Sequence, residues 1–178
     1  MTTGRQADAF ALLGLPARYD LDADTLEQAF FARSKELHPD KFASRPANER
    51  VAALSAARAL NDAYVLLKKP ASRAEYLLGR EGIVIGDNER IDPALVMDLL
   101  EEREVLAEAR HAGKLDEVER LQGAMKARRK AAFAELRTLF ADLESDRPTR
   151  LAAIKGQLIL LRYVERYLEE CDSALDDE

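Results

Sequence analysis

The sequence predicts an all-α protein, an N-terminal helical hairpin followed by a C-terminal antiparallel three-helix bundle, and three observations lead there. Apolar residues recur three and four apart almost everywhere, with no sustained alternation of period two. Glycine and proline gather at a few points, which gives the periodic segments definite stops. Three long segments in the second half are joined by tight connections, and short connections make helices antiparallel neighbours.

The elements follow in order. Ala7 to Leu13 is a short apolar segment halted by Gly14 and Pro16, the first tolerant of left-handed backbone and the second lacking the helical N–H. This predicts a stub helix. Asp22 or Asp24 can cap the next helix, in which Leu26, Ala29, Phe30, Ser34 and Leu37 share one face. His38 closes it, because Pro39 disfavours helical backbone in the residue before it. After a loop to about Arg45, Pro46 opens a third helix marked by Val51, Leu54, Leu60, Tyr64 and Leu67, and Pro70 ends it. Ala74 to Leu78 reads as a shorter apolar turn. Residues 1–79 therefore form one domain, and Gly79, Gly82, Gly86, Asp87, Asn88 and Asp92 make residues 80–92 a linker.

In residues 93–178 the first helix starts at Pro93 behind an Asp92 cap and ends near Gly113. The second runs from Leu115 to Leu143. The third begins around Pro148, with Ser145 or Asp146 as cap, and turns Leu151, Ile154, Leu158, Leu161 and Leu168 toward a core. The Asp-rich residues 172–178 are expected to fray.

Composition excludes several classes of function. A length of 178 residues with 47% hydrophobic content can bury one ordinary core or two small ones. Lys+Arg 27 against Asp+Glu 33 leaves a net charge of -6, which argues against nucleic acid or an anionic membrane as the main partner. Lone Cys171 cannot form an internal disulfide, nor can it make a conventional zinc site with two distant histidines. No metal or cofactor is expected. No run approaches the ~18 apolar residues of a membrane span, and Met1 to Asp8 has no targeting character, so a soluble cytoplasmic protein is expected. There is no phosphate-cradling glycine loop and no nucleophile-base pair at a catalytic spacing. Neither catalytic residues nor an enzyme are expected.

The chemistry concentrates instead at His38-Pro39-Asp40-Lys41-Phe42. Pro39 fixes its own backbone and removes a donor, so the loop holds its shape without an internal hydrogen bond at that residue. Asp40 offers an acceptor-only carboxylate suited to an arginine, His38 can donate or accept, and Lys41 adds positive charge. Pro-Asp after a helix is also a common turn, and the tripeptide alone supports a helix stop as well as a binding loop.

Its context resolves that choice. The loop and the segment Leu60-Asn61-Asp62-Ala63-Tyr64-Val65-Leu66-Leu67, followed by Pro70, Arg73, Ala74 and Tyr76, resemble the J-domain family of co-chaperones. Phe10 to Tyr19, His38 to Ser44 and Arg73 to Leu78 are similar to the HscB branch of that family, dedicated to iron-sulfur cluster biogenesis, and the similarity covers nearly the whole chain. The resemblance implies that His38, Pro39, Asp40 and Lys41, with Arg33 and Lys35 on the preceding helix, engage a DnaK-type chaperone and stimulate its ATPase. Many J-domains carry basic residues where this chain has Phe31 and Ala32, which leaves only Arg33 and Lys35 to make that face positive. The departure fits a specialised chaperone, HscA, better than the housekeeping one. A general J-domain co-chaperone of DnaK with another client is the alternative.

On the helix after Pro93, a wheel at about 100° per residue separates two apolar stripes. Leu95, Leu99, Leu106 and Ala109 form one. Val96, Met97 and Leu100 form the other, alongside Glu101, Arg103, Glu104 and Glu108. Periodicity alone leaves this second stripe equally a docking face or a surface covered by the third bundle helix. The HscB resemblance implies that Val96, Met97, Leu100, Glu101, Arg103, Glu104 and Glu108 bind the scaffold IscU, with Tyr163 as a further contact. Cys171 reads as a bystander and His111, one turn before Gly113, as a capping residue at a helix C-terminus. Lys126-Ala127-Arg128-Arg129-Lys130 reads as a solvated face, while Tyr64 and Tyr76 fit core positions with hydroxyls at the edge.

Overall fold

Helix α1 (Ala9–Leu13) is only five residues long because both of its ends are chemically closed. The Asp8 carboxylate accepts from the N–H groups of Phe10 and Ala11 at 2.9 and 3.2 Å, and Gly14 turns the chain out at φ 70, where a side chain would be strained. The structure, a computed structural model, describes residues 8–86, 89 and 93–176, so Ala7, proposed as the start of this segment, lies outside the described residues. Asp22, rather than Asp24, caps α2 (Ala23–Glu36) by accepting from the Thr25 N–H at 2.8 Å and its hydroxyl at 2.9 Å. These contacts hold its carboxyl below the usual value. α2 stops at Glu36, two residues short of His38, and a 3₁₀ turn (Pro39–Phe42) leads to α3 (Ala47–Lys68).

α2 and α3 form the hairpin, and α1 packs across α3. Phe10, Leu13, Leu26, Leu60, Ala63 and Leu67 make the core, and Phe30 stacks on Tyr64 with ring centroids 4.3 Å apart. Two residues expected on the apolar face of α3 are not covered: Val51 and Leu54 are 62% and 58% exposed, and Ala53 is buried instead. Their end of α3 lies against the short 3₁₀ turn, which supplies too little apolar surface to cover them.

Pro70 does more than end α3. It opens α4 (Pro70–Arg80), an eleven-residue helix where a shorter turn was expected. Lys69 is extended, as a residue before proline should be, and the buried Arg73 donates from Nη1 to the Leu67 carbonyl at 2.9 Å, closing the end of α3.

Backbone proximity divides the chain into two units, 1–80 and 81–178. The second holds α5 (Pro93–His111), α6 (Leu115–Ala141) and α7 (Arg147–Asp176), an up-down-up bundle in which α6 and α7 share the most extensive contact. Its core includes Leu106, Val118, Met125, Ile154, Val164 and Leu168. The Asp92 cap and the Leu95 side chain lie outside the described residues. Before α7, the Ser145 hydroxyl turns back to Asp142, while the Asp146 carbonyl accepts from the Arg150 N–H at 2.9 Å.

Three expectations for this unit change. Residues 81–89, placed in the linker, are fastened to α7 at their described positions: Arg147 pairs with Glu81 at 2.7 Å, Lys155 with Glu89 at 2.8 Å, and Arg162 donates to the Gly86 carbonyl at 3.3 Å. The run Lys126 to Lys130 is only partly solvated. Arg128 reaches Glu102 of α5 at 2.9 Å and Arg129 reaches Glu165 of α7 at 3.3 Å, so two of its cations tie helices together. Finally, α7 continues helically through Asp176 rather than fraying at 172, because Gln122 donates to Asp172 at 2.5 Å and Ala174 and Leu175 pack on the core.

Candidate protein-docking sites

The first site is built at the turn between α2 and α3. His38 is extended at φ -59, ψ 133, as the following proline requires, and Pro39 opens the 3₁₀ turn with no N–H to satisfy. The Lys41 N–H donates to the His38 carbonyl at 3.0 Å, and the Asp40 N–H donates to His38 Nδ1 at 3.4 Å. An imidazole that accepts at Nδ1 carries its proton on Nε2, which makes Nε2–H the donor it can offer a partner. The same Nδ1 lies 3.5 Å from Asp40 Oδ2, with the His38 and Asp40 side chains 59% and 90% exposed. The loop thus uses its backbone groups internally and leaves the carboxylate to solvent.

The cations around it are not equivalent. Lys35 and Lys41 are exposed, whereas Arg33 is paired with Glu36 at 3.2 Å and passes over Gly14. A feature that sequence reasoning missed sits beside the loop. Leu37, Asp40, Phe42, Arg50, Ala53 and Leu54 line an open cleft of about 270 Å³. Its signal in the sequence was slight, two apolar residues one turn apart, Val51 and Leu54, soon after the loop.

The second site is the outward side of α5. Leu99, Leu106 and Ala109 are buried, so the neighbouring stripe faces away: Met97 is 57% and Leu100 50% exposed, Val96 is half-buried, and Glu101, Glu104 and Glu108 are exposed. Arg103 differs from these carboxylates because it bridges to Glu170 of α7 at 2.6 Å. In an up-down-up bundle α5 and α7 run parallel, so seven residues back from the Arg103–Glu170 pair the register sets Val96 level with Tyr163, which is 37% exposed. Beneath the stripe, the Tyr167 hydroxyl donates to the Glu102 carbonyl at 3.1 Å, and its burial pushes its pKa up to about 12.

Cys171 is fully buried and burial pushes its thiol up to about 11, which makes it unreactive. Among the described residues no three His, Cys, Asp or Glu side chains come together as metal ligands, and no helix is long and apolar enough to cross a membrane.

Known proteins resemble this chain in sequence and in fold. The family model for the HSCB C-terminal oligomerisation domain matches residues 91–172. The chain is 33% identical over 178 residues to a co-chaperone protein HscB homolog of Azoarcus sp. (strain BH72), covering 99% of this chain and 98% of that one. It is 40% identical over 107 residues to co-chaperone protein HscB of Proteus mirabilis, covering 59% and 62%. Among solved structures, chaperone HscB from Vibrio cholerae aligns with a TM-score of 0.78 at 30% identity over 95% of this chain and 98% of that one. The human co-chaperone HscB aligns at 0.81 over 100% and 86%, with 24% identity, a likeness of fold alone. With a 33% identical relative matched along nearly the whole of both chains, this chain belongs to the HscB family of co-chaperones, which is not a family of enzymes.

Proposed function

We propose that this cytoplasmic co-chaperone binds the iron-sulfur scaffold IscU through the outward side of α5 and delivers it to the DnaK-type chaperone HscA. The His38-Pro39-Asp40 loop then accelerates ATP hydrolysis by HscA, promoting cluster transfer and the maturation of iron-sulfur proteins. The observation that carries the reading is the self-braced loop, whose backbone is satisfied while its carboxylate stands in solvent. Residues 1–79 act as the J-domain and residues 93–178 as the scaffold-binding domain.

The roles follow from the chemistry. Asp40 accepts a charge-assisted, bidentate contact from a chaperone arginine, His38 donates from Nε2, and Pro39 keeps the two at a fixed spacing. Arg33, Lys35 and Lys41 add positive charge around them for an acidic partner surface. Stimulation requires that these contacts be tighter to the hydrolysis-competent state of the chaperone than to its resting state. Met97 and Leu100, with Val96, bury apolar surface on the scaffold, while Glu101, Glu104 and Glu108 set its register and Arg103 and Tyr163 extend the contact. This chain contributes no catalytic group of its own.

The test is steady-state ATPase of HscA and of DnaK, each with and without this protein and IscU. The expected outcome is stimulation of HscA by this protein, raised further by IscU. Stimulation of DnaK alone, with no effect of IscU and no binding of IscU by this protein, would replace the reading with a general J-domain co-chaperone.

A further inference from the structure

The cleft beside the His38-Pro39-Asp40 loop is walled by three elements. Leu37 closes α2, Asp40, Phe42 and Ala43 belong to the 3₁₀ turn and its end, and Arg50 and Leu54 stand near the start of α3. Its volume of about 270 Å³ falls below the roughly 300–1,000 Å³ of small-molecule and cofactor sites, so it has room for a side chain. The lining is mainly apolar. Ala53 is buried, Leu37 and Phe42 are half-buried, and Leu54 is more than half exposed, as is Val51 one turn earlier. Side chains three positions apart are neighbours on a helix, so Val51 extends the apolar lining onto the open surface. An apolar patch rimmed by polar groups marks an interaction surface.

Two charged residues of opposite sign line the cleft as well. The Asp40 carboxylate is open to solvent, and Arg50 is exposed with no ion pair among the described residues, whereas Arg33 is held by Glu36. Asp40 belongs both to the loop and to the cleft, so a partner group that meets its carboxylate stands beside the cleft. An exposed ion pair adds little affinity by itself. Burial of the neighbouring apolar surface adds more, and a cleft already shaped by the turn and by α3 needs little ordering to receive it.

We propose that the cleft takes one apolar side chain of the chaperone whose arginine meets Asp40, and that Arg50 takes a carboxylate beside it. The occupant is a chaperone surface that sets an arginine, an apolar residue and an acid within reach of one another. The identity of that partner rests on the proposed function. The cleft also discriminates: any arginine can answer Asp40, whereas the cleft admits only a side chain of fitting size with an acid next to it.

The test is steady-state ATPase of whichever of HscA and DnaK this chain stimulates, against rising concentration of the chain and without IscU. Leu54→Ser should raise the concentration for half-maximal stimulation by about tenfold, and Arg50→Glu by about three- to tenfold, with the stimulation at saturation retained. Asp40→Asn should lower the stimulation at saturation instead. Ala43→Leu adds apolar surface but takes up room, so it should weaken the interaction as Leu54→Ser does, whereas an unspecific apolar patch would bind more tightly. All three of these cleft positions are exposed, and the variants should melt like wild type by circular dichroism. Wild-type half-saturation in Leu54→Ser and Ala43→Leu overturns the proposal and leaves the proposed function standing; a chain that stimulates neither chaperone overturns both. A Leu54→Ser defect confined to the saturating rate would make Leu54 a prop of the loop, and one that emerges only on adding IscU would assign the cleft to the scaffold; either result overturns the proposal.

Discussion

The two candidate docking sites display their chemistry in opposite ways. At the turn between α2 and α3, the polar groups sit on three consecutive residues whose backbone shape comes from Pro39 and two short-range hydrogen bonds. On α5 the backbone is ordinary helix, and which groups are on offer depends on what the neighbouring helices leave uncovered. Leu99 is 6% exposed and Leu100 50%; Leu106 is 1% exposed and Val105 42%. A loop that presents polar groups needs a specific backbone and therefore leaves a motif. A helix face needs only to be left without a partner, which no local pattern records.

The largest effect expected from this contrast lies within α5 itself. Leu106→Ala removes a fully buried side chain from the bundle core and should cost about 2–5 kcal/mol of stability in a denaturant titration. Met97→Ala combined with Leu100→Ala, on the exposed side, should leave stability within about 1 kcal/mol of wild type. Its expected effect is on scaffold affinity, weakened by about 10- to 100-fold in calorimetric titration, since each about 1.4 kcal/mol of lost contact is a factor of ten. If the double variant instead melts like Leu106→Ala, the stripe is structural and the contrast within the helix fails.

His38→Gln comes next. Losing a hydrogen bond to a charged partner costs about 1.5–3 kcal/mol, so stimulation of the chaperone should fall by about tenfold or more. Thermal unfolding should stay within about 0.5 kcal/mol, because the ring is exposed and its bond to the Asp40 N–H is long. A large stability loss with stimulation retained would make the tripeptide a helix stop.

How far the fold could be read in advance follows the same division. The start of α2 was legible to within two residues, since either Asp22 or Asp24 could cap it, and so was the α7 face from Leu151 to Leu168, because their physics is local. Pro70 was only half legible, since a proline that ends one helix and one that opens the next look alike; the difference is made by Arg73 reaching the Leu67 carbonyl. Arg128 and Arg129 read as solvated because their partners, Glu102 and Glu165, lie 26 and 36 positions away. Val51 and Leu54 keep helical period, yet period says nothing about what stands opposite. For the candidate sites, the residues of the loop were legible as a motif. The two stripes of α5 were indistinguishable until the bundle covered one of them.

The smallest effect expected tests whether the loop and the hairpin behind it are separable. The Ala9 N–H begins α1 and falls outside the reach of the Asp8 cap, which serves Phe10 and Ala11; it donates instead to the Tyr76 hydroxyl of α4 at 3.0 Å. Tyr76→Phe keeps the ring, whose centroid is 6.0 Å from that of Phe10, and removes only the acceptor. Because the site is partly buried, water can repair some of the loss, and the cost should be about 1 kcal/mol, read as a lower midpoint at unchanged slope. Stimulation of the chaperone should not change at temperatures where the variant is folded, since the hydrogen bond joins α1 to α4 whereas the loop is braced at the junction of α2 and α3 by its own contacts. A parallel loss of stimulation would mean that the loop draws its geometry from the far end of the hairpin, and the two His38 contacts would then be insufficient to hold it.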